Sequence, residues 1–320
     1  MAVLKNNICL LTYLRKSEIL TNSLISLAND IYSEFGNQFE FVIYSEVPVE
    51  YKKLRMHVVN KVLLSTKYIR ILDCLENCTY DYILSADNDI SPNNKLLIDR
   101  FKLFMHSNCD ICWGKIGTQN ADGMISKFVS VDKLLSHNLI RPLLWKIGVG
   151  ISIPGQLFFM KTDSFRDHLG AFDTYLDDLA IGLYVSINKR KRLFFKEILG
   201  MEKPNDTFVG LMRQRERWAH GYYSILKASF DRSDFKWRVV IHGVVYHFAW
   251  LINWSVIFGL LMIDWKLSIL WIICISALIT LYQPAMIVYG FFYQILFPIF
   301  HLRWMFALFS DFRKEKCIRK

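Results

Sequence analysis

Three groups of polar residues in this chain have the types and spacing that chemistry needs. Asp87-Asn88-Asp89 sets two carboxylates one residue apart, just after the apolar run Tyr82-Ile83-Leu84. In extended backbone, residues i and i+2 point to one side, so both carboxylates can face one ion or one diphosphate. Hard oxygen ligands suit Mg²⁺ or Mn²⁺, which keep positions for water and phosphate oxygens. A solvated turn before a helix starting near Pro92 explains the same letters equally simply. The second group, Asp177-Asp178, lies between Leu176 and Leu179 at the start of a helical stretch. There one aspartate can cap the helix, while the other, partly buried, acquires a pKa suited to a general base. In the third group, Gln214, Arg217 and Trp218 fall at i, i+3 and i+4, and share a face if Arg213 to Gly221 is helical. An amide, a guanidinium and an indole on one face can bond sugar hydroxyls, grip a diphosphate and stack on a pyranose ring. A basic amphipathic helix lying on anionic lipid fits the same segment, and the two readings are compatible.

Elements that could position these groups are legible upstream of each. Ile8 to Tyr13, Phe39 to Tyr44 and Tyr82 to Leu84 read as short strands. Between them, Glu18 to Tyr32 carries helical spacing at Ile19, Leu20, Leu24, Leu27 and Ile31, and Tyr68 to Leu75 can also be helical. Such alternation predicts an α/β fold with a mostly parallel sheet, whose ligands bind beyond the carboxyl ends of the strands.

The remainder of the chain has a different solvent in view. Of 320 residues, 53% are hydrophobic, 15% aromatic and only 21% charged, more apolar than a soluble domain. No charged residue occurs from Val239 to Ile263 or from Leu267 to Leu302. Each stretch is long enough to cross a hydrocarbon core of about 30 Å. We expect two spans, about 239–263 and 267–287, joined by Asp264-Trp265-Lys266. A third apolar segment, about 288–309, holds Pro298, His301 and Arg303 and suits an in-plane or re-entrant helix, with a third crossing as the alternative. Net charge is +10, concentrated at Arg213 to Arg238 and again at Arg313 to Lys320. Basic flanks on both sides predict an even number of crossings with the main domain in the cytosol. Met1 to Lys5 and the short run Ile8 to Tyr13 do not form a signal peptide, and seven cysteines at irregular spacing suit reduced thiols. The expected organisation is a cytosolic domain (1–212), an interfacial segment (213–238), a membrane region (239–309) and a basic cytosolic tail (310–320), in a multi-pass protein of the cell membrane.

Taken in order and followed by apolar helices, Asp87-Asn88-Asp89, Asp177-Asp178 and Gln214-x-x-Arg217-Trp218 resemble the family 2 glycosyltransferases. The likeness is strongest to the processive branch of cellulose, chitin and hyaluronan synthases, and covers roughly residues 6 to 265. It implies a GT-A domain with C-terminal transmembrane helices that transfers sugar from a nucleotide-sugar donor, UDP-linked, with inversion, to a polysaccharide or lipid-linked acceptor. The resemblance makes Tyr13 a contact of the nucleotide base. Glu46 stands where the family has a base-reading Asp, and Lys67 and Arg70 approach the donor phosphates. It gives Asp87 and Asp89 the metal and donor, Asp89 as the direct ligand. Gln156, in the loop Ile153 to Phe158, and Gln214 and Trp218 fall to the acceptor, and Arg217 to the leaving diphosphate. Asp177-Asp178 stands in place of the family's Glu-Asp, making Asp178 the general base. Synthases that extrude their polymer usually carry helices before the catalytic domain as well. This chain is therefore expected to act with an export partner, as a homo-oligomer, or by extending a lipid-linked acceptor with single sugars.

Other readings compete less well. Cys74-x-x-x-Cys78 with Cys109-x-x-Cys112 could close a zinc site, but Ile111-Cys112-Trp113 reads as a buried strand. His220, His242 and His247 lack acidic or thiol companions at ligand spacing, and Lys189 to Arg192 is most simply a solvated basic turn near the membrane, so no nucleic-acid partner is expected. A catalytically silent membrane scaffold of the same fold is the rival from another class.

Overall fold

The computed structural model describes residues 7–16, 18–48, 56–77, 79–166, 169–170, 173–230 and 233–318. The expectations that rest on Met1 to Lys5 and on Cys78 lie outside them. In chain order the elements begin β1 (Ile8–Leu14), α1 (Asn22–Phe35), β2 (Phe39–Ser45), β3 (Val58–Val62), α2 (Lys67–Asn77), β4 (Tyr82–Ala86), β5 (Ile90–Pro92), α3 (Asn94–His106) and β6 (Ile111–Thr118). Then come α4 (Met124–Leu135), α5 (Arg141–Lys146), β7 (Leu157–Lys161), α6 (Asp177–Ile187), β8 (Arg192–Glu202), α7 (Phe208–Phe230) and α8 (Ser233–Gly243). The chain closes with α9 (Ala249–Ile263), α10 (Trp265–Ile279), α11 (Ile287–Leu296) and α12 (Pro298–Ile318). By contact density there are two compact units: Met1–Gly117 with Ser152–Lys203, and Thr118–Ile151 with Pro204–Lys320.

The first unit is built on one eight-stranded sheet, in the order β3-β2-β1-β4-β7-β6-β8-β5. Strands β3, β2, β1 and β4 run parallel. From β4 onward the expected parallel pattern gives way: β7 is antiparallel to both β4 and β6, and β5 is antiparallel to β8. The parallel half follows from its sequence. Ile8-Cys9-Leu10-Leu11 and Ile83-Leu84 are buried throughout, as strands covered on both faces must be. Helix α1 begins where Thr21 accepts a hydrogen bond from the Leu24 N–H, three residues later than its apolar spacing alone suggests, and stops at Gly36, whose φ of 57° suits a residue without Cβ. Its stripe of Leu24, Leu27, Ala28 and Ile31 is buried in a core shared with Phe101, Phe104 and Phe159.

Glycines permit the tightest approach inside this sheet. A Cβ on Gly114 of β6 would lie 2.4 Å from Leu199 Cγ on β8, and Leu199 is fully buried.

The second unit is helical. A π-helical turn joins α4 to α5, and another joins α8 to α9. Among the described residues one continuous helix, Lys236–Ile263, is long and apolar enough to cross a membrane: it has 28 residues, a mean hydropathy of 1.6 in its most apolar window, and 6% of that window buried. The second expected span, 267–287, is not one helix. Helix α10 stops at Ile279, 15 residues long, or about 22 Å at 1.5 Å per residue. Pro284, which cannot donate to a continuing helix, follows the break. The third apolar stretch extends to Lys314 and bends by 40° where α11 meets Pro298, a geometry that a broken span or a re-entrant loop would share.

Some polar side chains inside these apolar helices are paired with one another. Gln294 donates to the Ile272 carbonyl at 2.9 Å and to Ser276 Oγ at 2.8 Å, and accepts from Asn253 at 3.2 Å. Trp271 in turn donates to Asn253 Oδ1 at 2.9 Å, so α9, α10 and α11 are tied by side-chain hydrogen bonds. Among the described residues Cys9, Cys74, Cys109, Cys112 and Cys274 are free thiols.

The contact between Gly114 and Leu199 yields a direct check. Gly114→Ala should cost about 1–3 kcal/mol through overpacking, lowering the thermal midpoint by several degrees. Adding Leu199→Ala to that variant should recover part of the loss for this pair, giving non-additive midpoints in a thermal-unfolding cycle.

Candidate functional site

The first cluster to form around the sheet is centred on a lysine. Thr66 caps α2 by accepting from the Ile69 N–H at 3.4 Å, which puts Lys67 in the first turn and Arg70 one turn further on the same side. The Lys67 ammonium donates to Asp87 Oδ1 and to the Gly155 carbonyl, each at 2.6 Å, and lies 3.3 Å from Asp177 Oδ2. Three elements therefore converge on one nitrogen. Asp87 follows β4, Gly155 precedes β7, and Asp177 opens α6.

Antiparallel pairing brings the first two together. Ala86 faces Leu157 in the β4–β7 ladder, and the Asp87 N–H donates to the Gln156 carbonyl at 2.9 Å, so Gln156 meets Asp87 through its backbone. The approach of α6 depends on Gly155: a Cβ there would stand 3.0 Å from Asp178 Cβ and 3.7 Å from Asp177 Oδ2.

Charge balance explains the protonation states. Burial favours the neutral amine of Lys67, but Asp177 and Asp87 outweigh it and raise its pKa above the ordinary value. Asp177 is pushed up by burial, in part relieved by Lys67 and increased again by Asp87. Its Oδ2 is buried without an aligned hydrogen bond; the contact with Lys67 is an ion pair. Asp178, half-buried, accepts from the Leu179 N–H at 2.8 Å at the start of α6, where helix N–H groups favour a carboxylate.

Asp87-Asn88-Asp89 is not extended. The Ile90 N–H bonds to the Asp87 carbonyl at 3.2 Å and closes a turn, so the same-side argument for the two carboxylates fails. Instead Asp87 turns to Lys67. Asp89 is exposed along one side, yet the protein crowding its carboxyl, and the charges of Asp87 and Glu202, push its pKa up to about 6. The middle residue has a job the sequence did not reveal. Asn88 accepts from the Thr21 N–H at 3.0 Å, takes the Thr21 hydroxyl on its carbonyl at 2.7 Å, and donates to the Ile19 carbonyl at 2.8 Å, fastening the start of α1.

Tyr13 and Glu46 also meet, at the ends of β1 and β2: the Tyr13 hydroxyl donates to Glu46 at 3.4 Å. Above the Tyr13 ring, 3.8 Å from its centre, lies the guanidinium of Arg70. Arg70 is 1% exposed, and both of its terminal nitrogens, like the hydroxyl of Ser85, are buried without a hydrogen-bond partner. They line a cavity of about 10 Å³ together with Tyr13, Tyr44 and Lys67.

Gln214, Arg217 and Trp218 belong to the second unit, on α7, where helical geometry gives them the shared face that their spacing predicts. Gln214 and Trp218 are half-buried and Arg217 is exposed. The residue between them matters most for packing. Arg215 is 3% exposed, donates to Asp132 at 2.8 Å and lies 4.5 Å from the Trp218 ring centre. Asp132 also accepts from Tyr293 at 2.7 Å, so α4, α7 and α11 share one ion pair. Nothing in the sequence linked positions so far apart. Burial alone would raise the pKa of Asp132, and Arg215 more than reverses it. His220 has a carboxylate after all, Asp311, at 2.5 Å.

Among the described residues no three His, Cys, Asp or Glu side chains are grouped to hold a metal. Two carboxylates are nonetheless a usual protein share for Mg²⁺ or Mn²⁺ beside a diphosphate. Burial, and then the charges of Asp87 and Glu202, raise Asp89, so a cation beside it would be favoured on charge, while Asp87 is already turned to Lys67.

The profile of glycosyl transferase family group 2 matches residues 82–296. Among curated proteins there is no match. Among solved structures, the chain is similar to the mannosyltransferase PcManGT from Pyrobaculum calidifontis in complex with GDP-Man and Mn²⁺, at 12% identity, covering 92% of this chain and 87% of that one, with a TM-score of 0.50. It is also similar to S. aureus TarS 1-349 in complex with UDP-GlcNAc, at 13% identity over 96% of this chain and 92% of that one, with a TM-score of 0.46. The fold is thus mixed α/β and GT-A-like.

The ion pair in the second unit can be tested alone. Because Asp132 titrates below the usual carboxylate range, it contributes stability that is present above the ordinary carboxylate pKa of about 4 and is lost as pH falls through the lower folded value. Arg215→Met should cost about 3 kcal/mol at neutral pH by stranding Asp132. The gap from the wild type should narrow in acid-unfolding curves below about pH 4.

Proposed function

The chain belongs to the family 2 glycosyltransferases, and we propose that it moves a sugar, with inversion, from a UDP-sugar to a saccharide or lipid-linked acceptor at the cytosolic face of a membrane. The observation that carries this reading is the convergence of Lys67, Asp87 and Asp177 at the carboxyl end of β4, where ligands of such sheets bind. In the proposed reaction an acceptor hydroxyl attacks the anomeric carbon, the bond to the donor diphosphate breaks, and the nucleoside diphosphate departs with the bonding electrons. Asp178 takes the hydroxyl proton. It suits the task because its carboxylate is held by a helix N–H yet remains half-exposed. Asp177, behind it, pairs with Lys67 and fixes the geometry. Tyr13 and Glu46 hold the base, while Lys67 and Arg217 meet the phosphates with charges that count most as the leaving group becomes negative. Gln156, Gln214 and Trp218 position the acceptor.

Asp87 and Asp89 would hold Mg²⁺ or Mn²⁺, which when bound supplies charge neutralisation at the diphosphate. The similar mannosyltransferase was solved with GDP-Man and Mn²⁺, which supports a metal and a nucleotide-sugar donor. For the membrane, support comes from the helix Lys236–Ile263, whose apolar side chains such as Ile252, Phe258 and Met262 are exposed. The Gln-x-x-Arg-Trp sequence supports kinship with polysaccharide synthases, and product-length analysis with labelled donor separates repeated from single addition.

Asp178→Asn should lower turnover by a factor on the order of 1,000 while leaving UDP affinity in Mn²⁺ within experimental error; normal turnover would end the base assignment. Asp89→Ala should weaken Mn²⁺-dependent UDP binding in calorimetry. In the wild type, Mn²⁺ must displace a proton from Asp89, whose pKa is near 6, so Mn²⁺ affinity should decline as pH falls below about 6. Equal affinity of the Asp89→Ala protein would remove the metal role.

A further inference from the structure

Lys67 is over-supplied with partners for a residue whose only task is to greet a phosphate. An ammonium has three donors. Two are spent on Asp87 and Gly155 at 2.6 Å, and the third side is met by Asp177 at 3.3 Å. With 16% of its side chain exposed and 13% of that of Asp177, the cation is enclosed, which is tolerable because two carboxylates offset its charge.

We propose that Lys67 is a resident counter-cation: in the donor-free protein it takes the place among Asp87, Gly155 and Asp177 where positive charge is needed, and so holds divalent ions off Asp87 until a diphosphate arrives to receive it. This rests on the reading of Asp87 and Asp89 as the metal-binding pair. Electrostatics gives the proposal its direction. A divalent ion on Asp87 must share that carboxylate with an ammonium already 2.6 Å from Oδ1, and two cations on one carboxylate repel. A bound diphosphate reverses the balance by offering Lys67 new anionic oxygens. The side chain is able to change partners, being a flexible four-carbon stem rooted in the first turn of α2. Its neighbour Arg70 is not equivalent, since its guanidinium is packed on the Tyr13 ring. Lys67 therefore acts through Asp87 as a positioning residue, coupling metal binding to donor binding.

Mn²⁺ binding to the purified full-length chain in detergent, followed by electron paramagnetic resonance of free Mn²⁺ with and without UDP, tests this. Without UDP, Lys67→Met should bind Mn²⁺ on the order of tenfold more tightly than the wild type, and UDP should strengthen Mn²⁺ binding less in the variant than in the wild type. A lysine that merely braced the fold would give weaker binding on removal. Equal or weaker affinity in a folded variant overturns the proposal. Should the variant not fold, mass-spectrometric acylation of wild-type lysines decides instead. At Mn²⁺ concentrations that saturate the protein with UDP present, Mn²⁺ alone should leave Lys67 labelling unchanged because the ammonium stays on Asp87, and a severalfold rise with Mn²⁺ alone overturns the idea. If wild type and variant bind Mn²⁺–UDP with the same coupling, only this inference fails. If the wild type binds no Mn²⁺ even with UDP, the metal reading of Asp87 and Asp89 fails with it.

Discussion

One ammonium, that of Lys67, is shared by three separate parts of the chain. The end of β4, the loop before β7 and the start of α6 all present oxygen to it. An uncompensated carboxylate in so enclosed a place would be costly, so each element is held where its oxygen meets the nitrogen. The requirement runs outward into the sheet. Antiparallel β7 must lie beside β4 for Gln156 and Gly155 to arrive next to Asp87, and the residue at 155 must lack a side chain for α6 to come close. The local turn at Asp87-Asn88-Asp89 serves the same end, sending one carboxylate toward the lysine and the other toward solvent and Glu202.

The helical unit follows a similar economy. Among its helices, polar side chains pair with one another: Gln294 with Asn253 and Ser276, and Arg215 with Asp132. In this unit the indole of Trp218 lies beside the Arg215 guanidinium, so the geometry of the Gln-x-x-Arg-Trp segment is linked to an ion pair made by a residue the motif leaves unspecified.

How much of this could be read from letters depends on the distance over which each feature is encoded. Strands β1, β2 and β4 and helices α1 and α7 announce themselves through short-range periodicity, and so do the acidic groups placed after strands. The mixed direction of the sheet does not, because a buried antiparallel strand such as Leu157-Phe158-Phe159-Met160 has the same unbroken apolar run as a parallel one. The break after Ile279 was hidden by absence of charge: hydropathy saw one long apolar stretch, while Pro284 and the turn before it ended the helix. The meeting of Asp132 with Arg215, 83 positions apart, and of Asn88 with Thr21, has no local signature. Lys67 and Arg70 were recognisable only through likeness to a family; their differing fates, one among carboxylates and one on a tyrosine ring, come from the fold.

The order of the chain through the two units carries a practical consequence for anyone wishing to handle the sheet-bearing part by itself. Residues Thr118–Ile151 leave the sheet after β6, belong to the helical unit, and return only at Ser152. A truncation after Lys203 would keep that excursion while discarding the helices it packs on. Phe128, Val129 and Val131, now buried with Leu211, Tyr293 and Phe297, would be left facing water as an adhesive patch. A tractable fragment would need the excursion replaced by a short polar linker between β6 and Ser152, rather than a stop codon placed at the visible edge of the α/β sequence.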